Sequence, residues 1–140
     1  KQERASKTVD LCTRYGILKY PWMTTLDPEP IDQALLTLFH EPAYLSLLED
    51  ASSGQMHPDR VVKMLERGIG TQDTPILPGI YEWSLRAAGG THAALQKIIS
   101  GDALTAFNPL GGFHHALPGH AEGFCYINDI VIAIKDVIRG

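Results

Sequence analysis

Strand-forming sequence is scarce in this chain, and that scarcity limits the fold more than any other feature. Only two stretches read as strands. Residues 17–26 hold Tyr20, Trp22 and two threonines, but Pro21 removes a backbone donor and confines the stretch to an edge or irregular strand. Residues 103–107 are short and apolar. A parallel α/β sheet needs several strands. The expected architecture is therefore mixed α/β, helix-rich with few parallel strands, and short of a complete doubly wound domain. A length of 140 residues fits one domain spanning residues 1–140.

Helical spacing is plentiful. Residues 8–15 carry Leu11 and Tyr15 on one side, Ser6 or Thr8 as a cap and Gly16 as a stop. Residues 32–40 place Leu35, Leu36 and Phe39 at helical spacing. Residues 41–49 begin with Pro42, suited to a first turn, and residues 61–66 add a turn or two. The polar text between them, residues 50–59, reads as an exposed loop. The longest helix is expected over residues 80–99. Gly89 and Gly90 fall inside it at a cost of about 1 kcal/mol each relative to alanine. Such a pair marks either a closely packed neighbouring backbone or a kink. Asn128 can cap a last helix whose apolar face is Ile130, Val131, Ile134, Val137 and Ile138, with Arg139 and Gly140 at its end.

Composition narrows the partners. Hydrophobic residues make up 44% and charged residues 20%, as in a globular rather than a disordered chain. The net charge of −4 and the scattered lysines and arginines give no case for nucleic-acid binding. The longest apolar run, residues 130–134, is too short to span a bilayer, so no membrane partner is expected. KQERASKTVD at the start has no apolar signal segment, and Cys12 and Cys125 fall in no metal-binding or redox spacing. Two reduced thiols and a cytoplasmic location are the expectation.

Chemistry concentrates in residues 108–123, a long loop rich in glycine, proline and histidine, and such loops are usually functional. His114, His115 and His120 lie within seven residues. Adjacent histidines diverge on a regular strand, but beside Gly111 and Gly112 they can converge on one pocket. Two imidazoles can hold a neutral base next to a protonated partner, which suits acid/base work at a carbonyl. The competing reading makes them core or surface histidines. His120, beside the Pro118–Gly119 turn, is expected to be exposed. Three histidines without a spaced carboxylate make a weak metal site, and His40-Glu41 lacks the second histidine of a helical zinc motif.

Gly111-Gly-Phe-His-His-Ala116, followed by Gly123-Phe-Cys-Tyr-Ile-Asn128, resembles the signature of the zinc-dependent histone deacetylase superfamily, which includes bacterial acetoin-utilisation-type and acetylpolyamine-type deacetylases. Arg4-Ala-Ser with Tyr15-Gly16, Phe39-His-Glu-Pro-Ala-Tyr44, Gly68-Ile-Gly-Thr-Gln-Asp-Thr-Pro75 and Ala87-Ala-Gly-Gly-Thr91 are similar to further landmarks of that family, in order. The resemblance implies a partial arginase/deacetylase-type fold and a segment of an enzyme that hydrolyses N-acetyl-lysine or acetylated amines. It implies His115 as general base and acid and His114 as an orienting, charge-stabilising partner. Gly123 and Phe124 would wall the substrate tunnel. Arg4, Phe113 and Cys125 would belong to an inner cavity or lie beneath the site. Residues 106–109, Ala-Phe-Asn-Pro, resemble bacterial-type members.

The same resemblance places the family's zinc ligands, an Asp-x-His pair and a later aspartate, beyond the last helix, and its first strand before Arg4. No metal ligand is therefore expected here, zinc is expected only in a full-length relative, and the isolated chain is expected to be inactive. The exposed apolar side of the last helix suggests self-association. A non-catalytic, self-associating remnant or binding module is the alternative, and an unrelated histidine metal site a distant third. Asp50 and Asp59 are candidates to hold a substrate backbone at the rim, or are simply solvated loop charges.

Overall fold

A computed structural model of the chain describes residues 2–139, and the backbone alone at Gln2. The described residues form six α-helices: α1 (Gln2–Arg14), α2 (Gln33–Leu36), α3 (Pro42–Ser53), α4 (Pro58–Glu66), α5 (Ile80–Ile99) and α6 (Asp129–Arg139), with a 3-10 turn at Ile17–Lys19. Gly140, expected at the end of the last helix, lies outside the described residues.

Neither expected strand forms among the described residues. Residues 17–26 make the 3-10 turn, a second turn in which the Met23 N–H donates to the Tyr20 carbonyl, and then irregular coil; Tyr20 and Trp22, in that second turn, stack at 4.8 Å on the surface. In residues 103–107 Leu104 and Phe107 are exposed, and the Ala103 N–H closes back onto Lys97 at the end of α5. A strand needs a neighbour to satisfy its backbone groups, and no strand pairing among the described residues involves either stretch. Among the described residues the only strand-type pairings are two isolated antiparallel bridges, Leu117 with His120 and Glu122 with Cys125.

Helix boundaries depart from expectation where hydroxyls were read as caps. In α1, Ser6 and Thr8 donate back to the carbonyls of Glu3 and Arg4 at 3.1 and 2.8 Å, so both lie inside the helix. Glu3–Lys7 and Asp10–Arg14 pairs extend it. The loop expected at residues 50–59 shrinks to 54–57. Ala51 and Ser52 continue the buried face of Tyr44, Leu45, Leu47 and Leu48, and the helix ends only at left-handed Gly54. Asp50 is tied to Arg60 of α4, while Asp59 stands exposed in the first turn of α4. Ser52 couples α3 to α5 by donating to Glu82 and accepting the Tyr81 N–H.

Helix α5 runs unbroken through Gly89 and Gly90, which decides between the two readings of that pair. A Cβ on Gly89 would lie 1.9 Å from the Glu29 carbonyl oxygen, so another backbone crosses the helix there. The Ile31 N–H donates to Leu85 on the same side. Helix α6 turns a different face inward from the one expected. Ile132 and Ala133 are buried, while Ile134, Val137 and Ile138 remain exposed. The main core joins Tyr44, Leu48, Met64, Ile69, Ile127 and Ile132.

Candidate active site

The irregular segment between α5 and α6 carries the histidine pair, and polar side chains from both helices hold it. Asn108 donates from its amide to the Ala87 carbonyl and the Thr91 hydroxyl, each at 2.9 Å, and accepts the Leu110 N–H at 3.1 Å. Thr91 donates to Asp129. The Asp129 carboxylate then accepts the N–H groups of Gly112 and Phe113 at 2.9 and 2.7 Å.

The two glycines of this loop serve different needs. A Cβ on Gly111 would meet Thr91 Oγ1 at 2.4 Å and Asp129 Oδ2 at 2.6 Å, so glycine is required for close approach. Gly112 faces open space, but its φ of 95° is one that side-chain-bearing residues rarely adopt.

Immediately after this clamp the structure brings His114 and His115 together, with ring centroids 4.3 Å apart and planes 37° from parallel. Both are exposed. His114 Nδ1 faces the Gly112 carbonyl at 3.1 Å. A carbonyl only accepts, so Nδ1 carries the proton and a neutral His114 keeps Nε2 as a free acceptor. Gly123 packs on the neighbouring imidazole, since a Cβ there would lie 3.0 Å from His115 Cγ. Phe124 follows with φ 65°, left-handed for a non-glycine residue, and leaves its side chain half exposed.

Arg4 and Phe113 line one open cavity of about 310 Å³, together with Trp83, Phe107 and Gly112. Phe113 meets Trp83 edge-on at 5.3 Å. Cys125 sits instead in a small buried cluster with Ala87, Phe113 and Ala116, its thiol toward the Gly123 carbonyl. His120 is half-buried rather than exposed, because its Nε2 packs where a Gly68 Cβ would be.

Several polar residues here were not legible beforehand. Asn128 caps α6 through Val131 as expected, but its side-chain amide also donates to the carbonyls of Ala116 and His114 at 3.0 and 3.4 Å. His40, from a distant segment, is buried and accepts the Asn128 N–H. Asp129 carried no signal of this role in the sequence.

Among the described residues, no group of three or more His, Cys, Asp or Glu could hold a metal ion. Asp129 spends its carboxylate on Thr91 and two amides, and both nitrogens of His40 are engaged. The residues at hand therefore do not make a zinc ligand set. No described helix is long and apolar enough to cross a membrane.

The loop and its clamp define a helix-scaffolded pair of exposed imidazoles. The family model for the histone deacetylase domain matches residues 1–140, and the chain belongs to that family. It is 33% identical over 139 residues to type-1 histone deacetylase 1 of Dictyostelium discoideum, covering 99% of this chain and 27% of that protein. It is 36% identical over 131 residues to histone deacetylase 8 of Xenopus tropicalis, covering 94% of this chain and 34% of that protein. Histone deacetylase 19 of Arabidopsis thaliana is 33% identical over 139 residues, 99% of this chain and 27% of the relative. The chain thus spans about a quarter to a third of the length of these relatives. They are eukaryotic, so they lend no support to the bacterial-type reading of residues 106–109.

Proposed function

We propose that this chain is the N-terminal part of a deacetylase catalytic domain and that His114 and His115 are its acid/base pair. The substrate class is an N-acetyl-lysine or a small acetylated amine. The helices described here would be the helix-rich portion of an α/β arginase/deacetylase-type fold. One observation carries the reading: two imidazoles 4.3 Å apart on a clamped loop, with Gly123 packed against His115.

In this reading His115 takes a proton as water oxygen bonds to the acyl carbon. It returns that proton to the nitrogen as the carbon–nitrogen bond breaks, so acetate and a free amine leave. His114 offers Nε2 to orient the water. Phe124 and the Gly123 backbone form an apolar wall for an aliphatic stem. Arg4 and Phe113 line the open cavity beside Gly111 and Gly112. The zinc that the resemblance implies has no ligand set among these residues, so hydrolysis requires groups from outside them.

The test is hydrolysis of an acetyl-lysine peptide and of an N-acetylated diamine by a form carrying the sequence downstream of residue 140. His115→Ala should lower the rate by about 10²–10⁴-fold, the usual share of a general acid/base. An unchanged rate would overturn the assignment. The 140-residue chain alone should show no hydrolysis. The family match over the whole chain favours this reading over a non-catalytic, self-associating module.

A further inference from the structure

We propose that Asp129 is a positioning residue for the imidazole pair, setting where His114 and His115 sit through the amides of Gly112 and Phe113. The inference rests on the acid/base reading of that pair. Asp129 is fully buried, and it forms no ion pair among the described residues. A buried carboxylate is tolerated only where donors replace water. Here three do so: the Thr91 hydroxyl and the N–H groups of Gly112 and Phe113. The first turn of α6 adds its positive end.

The loop is built around this carboxylate. Gly111 has no room for a Cβ because Thr91 and Asp129 occupy the space. Gly90 has none because Asn108 does, and Asn108 holds the Thr91 hydroxyl. The arrangement links α5, α6 and the loop through side chains whose partners are all internal. Its output is the Phe113 amide, the last backbone donor before His114. A general base must meet its proton at hydrogen-bond distance, and a displacement of 1 Å costs about 10²-fold in rate. Fixing that amide therefore fixes the quantity on which acid/base catalysis depends most.

The experiment is NMR on the 140-residue chain with ¹⁵N-labelled histidine, comparing Asp129→Asn, Thr91→Val and Thr91→Ser with the parent. Asn at 129 keeps the shape but turns one acceptor into a donor facing an N–H. We expect the ring signals of His114 and His115 to move while those of His57, far along the chain on α4's cap, stay put. Amide exchange at Gly112 and Phe113 should quicken by roughly tenfold, as for loss of one hydrogen bond. Thr91→Val should shift the same signals less, and Thr91→Ser should restore them. If Asp129→Asn does not fold, the Thr91 pair decides. A folded variant whose His114 and His115 signals and loop exchange match the parent overturns the proposal. Hydrolysis surviving His115→Ala in the longer form would instead remove the acid/base reading and leave the NMR result standing.

Discussion

His40 Nε2 accepts the backbone N–H of Asn128 at 2.9 Å, joining the segment before α3 to the residue that starts α6. The other ring nitrogen, Nδ1, faces the Pro118 carbonyl at 3.2 Å. Only one neutral tautomer satisfies both contacts, with the proton on Nδ1. Protonation would set an Nε2–H against the Asn128 N–H. Burial is the main force holding the His40 pKa below its ordinary value of 6.5, and the carbonyls of Pro118 and Leu117 work against it.

This histidine gives stability a pH dependence of definite sign. Its folded-state pKa is depressed, so the unfolded chain binds the proton first as pH falls. The stabilisation is complete above about pH 6.5 and declines as pH drops from there through the folded-state value. Urea denaturation at pH 7.5 and 5.5 should show lower stability at the acid value. His40→Gln should be less stable at pH 7.5 and show a smaller difference between the two. A steeper difference in the variant would contradict the account.

Gly89→Ala should destabilise despite alanine's better helix propensity. The new Cβ would fall 1.9 Å from the Glu29 carbonyl oxygen, which is backbone and cannot swing aside. We expect a loss of about 1–3 kcal/mol, the usual scale of overpacking. A melting temperature at or above the parent's would show that residues 29–31 do not cross α5 as described.

Gly111→Ala and Gly112→Ala separate close approach from backbone conformation. The first drives a methyl into Thr91 and Asp129, whereas the second only strains a left-handed φ, at about 1–2 kcal/mol. Gly111→Ala should cost more stability and should disturb the His114 and His115 ring signals more strongly. Equal effects in calorimetry and NMR would count against the two distinct roles.

Tyr44→Phe removes a fully buried hydroxyl that donates to the Tyr126 carbonyl at 2.7 Å. Burial pushes the phenol pKa far above its usual range, so it stays a donor at every practical pH. The variant should lose about 1–2 kcal/mol in chemical denaturation, independent of pH between 6.5 and 9. A neutral variant would mean that water or another donor reaches that carbonyl.

Legibility followed the range of the interactions. The long helix at Ile80–Ile99, the Gly16 stop and the Asn128 cap were readable, since periodicity and capping act within a few residues. The two strands were misread because extended sequence becomes a strand only beside a partner. The inward face of α6 was misread because apolar residues lie on more than one side of it. Ile132, rather than Ile134, meets the core.

By itself the sequence determined where most of the helices lie, the need for glycine around residues 111–112 and the histidine pair with its family signature. These depend on local spacing and on residue chemistry. Only the tertiary structure decided that Asp129 and Thr91 clamp the loop, that His40 reaches Asn128, and that Gly89 yields to a crossing backbone. Each of those contacts pairs groups from separate segments. Their existence depends on how the helices pack, and no local pattern encodes that packing.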